Sequence, residues 1–115
     1  MNTSNIGATG EKLVKSYLEK NGYSILKMNF EAAGGEIDII AQKGRHLAFI
    51  EVKTRYDTTY GRGAEFVNYY KQQNIIRAAR AYIMNYTDYD EISFDVCEVY
   101  TKNHMINYIE NAFDA

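Results

Sequence analysis

At 115 residues the chain is one domain, long enough to bury a real core. Its 46% hydrophobic and 24% charged content is that of an ordinary soluble globular protein, and no run of 18 apolar residues could form a transmembrane helix. A formal net charge of −2 argues against a strong, non-specific nucleic-acid binder.

The charge is unevenly spread. Residues 1–41 hold four Lys or Arg against five Asp or Glu, residues 42–80 hold eight against three, and residues 81–115 hold one against seven. The basic excess in the middle could face phosphate or could be a solvated surface. Met1 to Ile6 is polar, lacks the apolar stretch of a signal peptide, and reads as a flexible N-terminus of the single domain 1–115. Cys97 is the one cysteine, so it forms no internal disulfide; it fits a reducing cytoplasm, and a small strand residue better than a nucleophile.

Residues 8–20 carry Val14, Tyr17 and Leu18 at helical spacing, with Asn21 and Gly22 as a stop. Glu11, three residues before Val14, lies at the edge of that stripe. Tyr23 to Phe30 reads as a first strand, and Ala32 to Gly35 as a turn. Two apolar runs follow, Ile37 to Ala41 and Leu47 to Val52, each too short for a helix and rich in branched residues. They predict a buried hairpin.

A two-residue loop at Gly44 and Arg45 puts glycine where a type II′ turn needs φ > 0. That register sets Lys43 opposite His46, Ala41 opposite Ala48, and Asp38 opposite Glu51. Opposed residues share a face with Cβ atoms about 4.5–5.5 Å apart. Lys53 follows on the same face, about 6.6–6.8 Å along the strand. Two carboxylates and an ammonium thus converge at the open end of the hairpin, where like charges repel. Either Lys53 closes a structural ion-pair cluster, or a hard cation such as Mg²⁺ sits between the acids.

Residues 56–63 contain two glycines and two tyrosines, including Tyr60, with Arg55 just before the segment and Arg62 within it. Arg can grip phosphate and Tyr can stack on an unpaired base, so this loop either contacts nucleic acid or is plain surface. Residues 69–85 predict a second helix with Ile75, Ala79, Tyr82 and Ile83 as its buried stripe. Lys71 and Gln72 stand near its start, Gln72 on the apolar stripe. Ile92, Phe94 and Val96 alternate with Ser93, Asp95 and Cys97 as a strand; Asn103 and His104 turn into a last strand, Met105 to Ile109. The order is α-β-β-β-α-β-β, with a parallel crossover through the second helix. His46 and His104 stand in separate turns and form no zinc site.

Asp38, then Glu51, Val52 and Lys53, resembles the D…ExK core of the PD-(D/E)XK nuclease superfamily. The fuller segments, Gly35 to Ala41 and Phe49 to Arg55, resemble the bacterial YraN-like family, which is grouped with Holliday-junction-resolvase-like nucleases; the resemblance runs from about Gly7 to Phe113. It implies an α/β, restriction-endonuclease-like fold, a mixed central sheet flanked by helices. It also implies a Mg²⁺- or Mn²⁺-dependent nuclease of branched or structured DNA. Asp38 and Glu51 would hold the metal with the Val52 carbonyl, and Lys53 would serve the attacking water. Glu11 and Gln72 are further catalytic candidates, and Arg55, Tyr60, Arg62 and Lys71 the DNA contacts. Two readings compete with catalysis: a non-catalytic nucleic-acid-binding module, and a protein-interaction domain with a structural ion-pair cluster. A homodimer stays open.

Overall fold

The computed structural model describes residues 3–57 and 67–115, with side chains from Thr9 onward. Helix α1 (Thr3–Lys20) is followed by strands β1 (Ser24–Ala32), β2 (Gly35–Lys43) and β3 (His46–Arg55). Helix α2 (Tyr69–Ile83) then leads to β4 (Glu91–Tyr100) and β5 (Met105–Phe113). The expected element order holds, and so does the mixed α/β architecture. The sheet runs β1-β2-β3-β4-β5, antiparallel throughout except for the parallel β3–β4 pair that the α2 crossover joins.

The helices cover opposite faces. Val14 and Leu18 of α1 pack on Ile39, Ala41, Ala48, Ile50, Cys97 and Val99. Ile75, Ile76, Ala78 and Ala79 of α2 pack on Ile37, Ile40, Leu47, Phe49, Phe94 and Val96. Strands buried on both sides explain the unbroken apolar runs that mark β2 and β3 in the sequence.

Turn chemistry sets the register. Gly44 has φ 59° and Arg45 keeps a negative φ, the pattern of a type II′ tip, and Lys43 pairs with His46 and Ala41 with Ala48 as expected. At the end of α1, Gly22 at φ 90° closes a Schellman motif: Tyr23 N donates to Leu18 O at 2.9 Å and Gly22 N to Glu19 O at 3.2 Å.

Two boundaries differ from expectation. α1 begins at Thr3 rather than at residue 8. β5 runs to Phe113, beyond Ile109, because a bulge opposite Asp95 lets the ladder resume. Asn111 takes φ 52° there, its N–H donates to Asp95 Oδ1 at 3.0 Å, and Phe113 stacks on Phe94. Among the described residues no helix is long and apolar enough to cross a membrane.

Candidate active site

The site lies where β2 and β3 part. Their ladder ends at the Ile39–Ile50 pair, yet both strands continue. Beyond that point β2 pairs only with β1, through Ile37, Glu36 and Gly35, and β3 only with β4. Asp38 and Glu51 are the first residues past the last pair, at the mouth of the fork. Asp38 Oδ2 takes the Val52 N–H at 2.8 Å, a carboxylate replacing the missing strand partner.

Glu51 is 5% exposed, and its Oε1 lies 2.7 Å from the Lys71 ammonium. The cation at the fork therefore comes from α2. Lys53, one of the two candidates to sit between the acids, is half-buried farther along β3, beside Glu98 in the sheet register. Among the described residues no carboxylate is within ion-pair distance of its ammonium. Lys71, expected to contact nucleic acid, is held at Glu51 because Asn68 caps the helix: its side chain accepts the Lys71 N–H at 2.9 Å, fixing the first turn of α2 over the fork.

The electrostatics follow from this packing. Burial, and then the charge of Glu51, push the Asp38 carboxyl up to about 6, against the Val52 N–H bond and the Lys71 charge. Burial disfavours the Lys71 charge, but the hydrogen bond and charge of Glu51 outweigh it, with Asp38 and Glu36 adding to them, and its pKa rises. Glu11 joins the same field. Burial first and Asp38 second raise its pKa, Asn29 opposes this with a hydrogen bond, and Glu36 adds a further push.

Glu11 gets close to the acids because α1 sits tightly on β3. A Cβ on Gly10 would fall 2.2 Å from Thr54 Oγ1. Its Oε1 is buried and finds no hydrogen-bond partner among the described residues.

The other candidates stand farther out. Gln72 donates its side-chain amide to Val67 O at 2.8 Å, tying down the segment before α2. Arg55 Nε lies 3.4 Å from Glu98 Oε2, and Asn107 donates to Glu98 Oε1 at 2.8 Å. Tyr60 and Arg62 lie outside the described residues. Sequence reasoning missed Glu98, 2% exposed, and Glu36. Glu98 follows the alternating stretch of β4 directly, but only its neighbours on β3 and β5 show that its charge is paired. Cys97 is buried, with its thiol pushed up to about 12 by burial and then by Glu98 and Asp95, which suits a core residue and not a nucleophile.

Asp38 and Glu51, two carboxylates that repel each other, are hard oxygen donors. Among the described residues no three His, Cys, Asp or Glu side chains come together as a metal-ligand group. The chain would thus offer a cation one or two carboxylates and leave other positions to water and substrate, the habit of Mg²⁺.

The chain matches the family model described as "Uncharacterised protein family UPF0102" over residues 10–99, a span that includes Glu11, Asp38, Glu51, Lys53, Lys71 and Glu98. It is 49% identical over 114 residues to a UPF0102 protein of Clostridium beijerinckii, covering 94% of this chain and 92% of that protein. A UPF0102 protein of Alkaliphilus metalliredigens is 46% identical over 114 residues, covering 96% and 99%. One from Legionella pneumophila strain Corby is 37% identical over 115 residues, covering 98% of each.

Proposed function

The chain belongs to the UPF0102 (YraN-like) family, and we propose that it is a metal-dependent phosphodiesterase acting on DNA, with branched or structured DNA as its substrate class. The observation that carries this reading is the forked end of the β2–β3 hairpin. It holds Asp38, half-buried, and Glu51, 5% exposed, in mutual repulsion, with their charge only partly offset by Lys71. A fold maintains such repulsion at a cost, and a site that takes up a cation recovers that cost on binding.

Asp38 and Glu51 would hold Mg²⁺ or Mn²⁺, with the Val52 carbonyl beside them. When bound, the metal would polarise the phosphate and lower the pKa of attacking water. The chain's own residues do the rest. Lys53 orients that water through its ammonium, which no carboxylate among the described residues claims. Lys71 holds the Glu51 carboxylate in place. Glu98 holds Arg55 at the edge of the site, where a guanidinium grips a phosphate oxygen.

A second reading has its own support. The Lys71–Glu51 ion pair is what an interaction domain with a purely structural cluster would also contain. A cleavage assay with Mg²⁺ or Mn²⁺ on linear, flapped and four-way DNAs separates the two. The phosphodiesterase reading requires cutting of at least one of these. DNA binding without cutting would leave a binding module, and neither binding nor cutting would leave the interaction domain.

A further inference from the structure

Between the β1–β2 turn and the first turns of α2 is a cleft of about 660 Å³, within the roughly 300–1,000 Å³ of small-ligand pockets. Glu31 and Glu36 line one side; Asn68, Tyr70, Lys71 and Asn74 line the other. It opens beside the fork, because Lys71 both borders it and reaches Glu51, and Glu36 belongs to the same electrostatic field. The two walls meet in a close backbone approach: a Cβ on Gly35 would lie 1.9 Å from the Asn74 carbonyl oxygen. Glycine alone lets the turn and the helix close there.

The lining decides what enters. The carboxylates of Glu31 and Glu36 repel phosphate, and the Lys71 charge is committed to Glu51, so the cleft is no second phosphate site. Carboxylates do accept hydrogen bonds from base amino groups, as with N4 of cytosine. The Tyr70 ring is 75% exposed on the rim. A tyrosine ring held in water beside a polar cleft offers a face on which a base can stack. A base paired within a duplex cannot reach such a recess; one released from the stack can.

We propose that this cleft receives an unpaired nucleobase bearing an exocyclic amino group, stacked on Tyr70 and bonded to Glu31 or Glu36, next to the phosphate held at the fork. The proposal rests on the phosphodiesterase reading and narrows its substrate to strands with an unpaired nucleotide near the reacting bond.

The test is fluorescence anisotropy in metal-free buffer, so that nothing is cut. The probes are labelled duplexes, perfect or with one bulged cytosine, adenine, thymine or abasic site, and an RNA copy of the cytosine bulge. The intact protein should bind the cytosine and adenine bulges about tenfold more tightly than the perfect duplex or the abasic bulge, the gain expected of one stacked base. Thymine, without an amino group, should fall between. The RNA probe shows whether the sugar matters; equal binding of both bulges supports recognition through the base.

Tyr70→Ala, a change at an exposed position, should erase the bulge preference and leave duplex affinity unaltered. Glu36→Gln should shrink the margin of cytosine over thymine. Equal binding of bulged and abasic probes, or a preference that survives Tyr70→Ala, would overturn the cleft assignment while leaving the DNA reading intact. If no DNA or RNA binds, the cleft assignment falls, and the phosphodiesterase reading is judged by the cleavage assay with Mg²⁺ or Mn²⁺.

Discussion

The Lys71 ammonium on α2 lies 2.7 Å from Oε1 of Glu51 on β3, joining the crossover helix to the fork of the sheet through a carboxylate that is 5% exposed. Removing the ammonium leaves a nearly buried charge beside a second acid. Lys71→Met should cost about 1–3 kcal/mol by urea unfolding, less than a fully buried pair because Lys71 is half exposed. Glu51→Gln in the same chain should restore most of the loss. Mg²⁺ at millimolar concentration should raise the melting temperature of Lys71→Met more than that of the parent, since cation and ammonium neutralise the same carboxylate. Equal shifts in the two proteins would show that no cation binds at Glu51.

Asp38 makes stability depend on pH in an unusual direction. Its carboxyl is pushed up to about 6 in the fold, from an ordinary value of 3.8 in the unfolded chain. Between those values the folded state binds the extra proton, so this group's contribution falls as pH rises through the window and is lowest above it. The metal-free protein should therefore gain stability on going from pH 7 to pH 5, by about 1 kcal/mol at this site. Asp38→Asn keeps an oxygen for the Val52 N–H and removes the repulsion. It should be as stable as the parent or more so at pH 7, with the pH 5 gain reduced. A variant clearly weaker than the parent at pH 7 would mean that Asp38 is a needed partner of Lys71.

The hairpin and its acids were legible because period-two patterning and one glycine turn determine a local register: Gly44 at the tip places Asp38 and Glu51 together by counting alone. The fork was not legible, because the point where β2 leaves β3 depends on pairing with β1 and β4. Nor was the Lys71 contact, since Lys71 and Glu51 are brought together only by the α2 crossover and by the Asn68 cap that orients its first turn. Glu98 went unread for a similar reason. A charged residue in the second half of β4 looks like an exposed strand end until β3 and β5 are placed on either side, when Arg55 and Asn107 become its partners. Lys53 is the instructive case. Alternation places it on the strand correctly, but proximity along one strand is weaker evidence for a salt bridge than the packing of a helix across it.

Glu98 and Arg55 give a test of that second pair. Arg55→Ala leaves a carboxylate that is 2% exposed held by the Asn107 amide, and should destabilise the protein by about 2–4 kcal/mol. Arg55→Ala/Glu98→Gln should recover part of this. If Arg55 also touches phosphate, the double variant should bind DNA more weakly, with a shallower salt dependence than the parent. Unchanged binding would confine Arg55 to a structural role.

Gly10 reports on how the first helix is seated. A Cβ there would stand 2.2 Å from Thr54 Oγ1, so Gly10→Ala should push α1 off β3 and cost about 1–3 kcal/mol. Thr54→Ala in the same chain should relieve the clash. If Glu11 assists the site, Gly10→Ala should also lower turnover beyond what its stability loss explains, and Gly10→Ala/Thr54→Ala should restore it.

The most direct measurement follows single-turnover DNA cleavage with Mn²⁺ alongside DNA binding, for the parent, Lys53→Ala and Glu51→Ala. Lys53 stands beside the proposed metal ligands without being one. Its loss should abolish cleavage while binding weakens only modestly, and the metal-induced rise in melting temperature should persist. Glu51→Ala should lose both cleavage and that rise. Cleavage by Lys53→Ala at the parent's rate, or a parent protein that takes up metal and DNA yet cuts none of the linear, flapped or four-way substrates, would contradict the phosphodiesterase account.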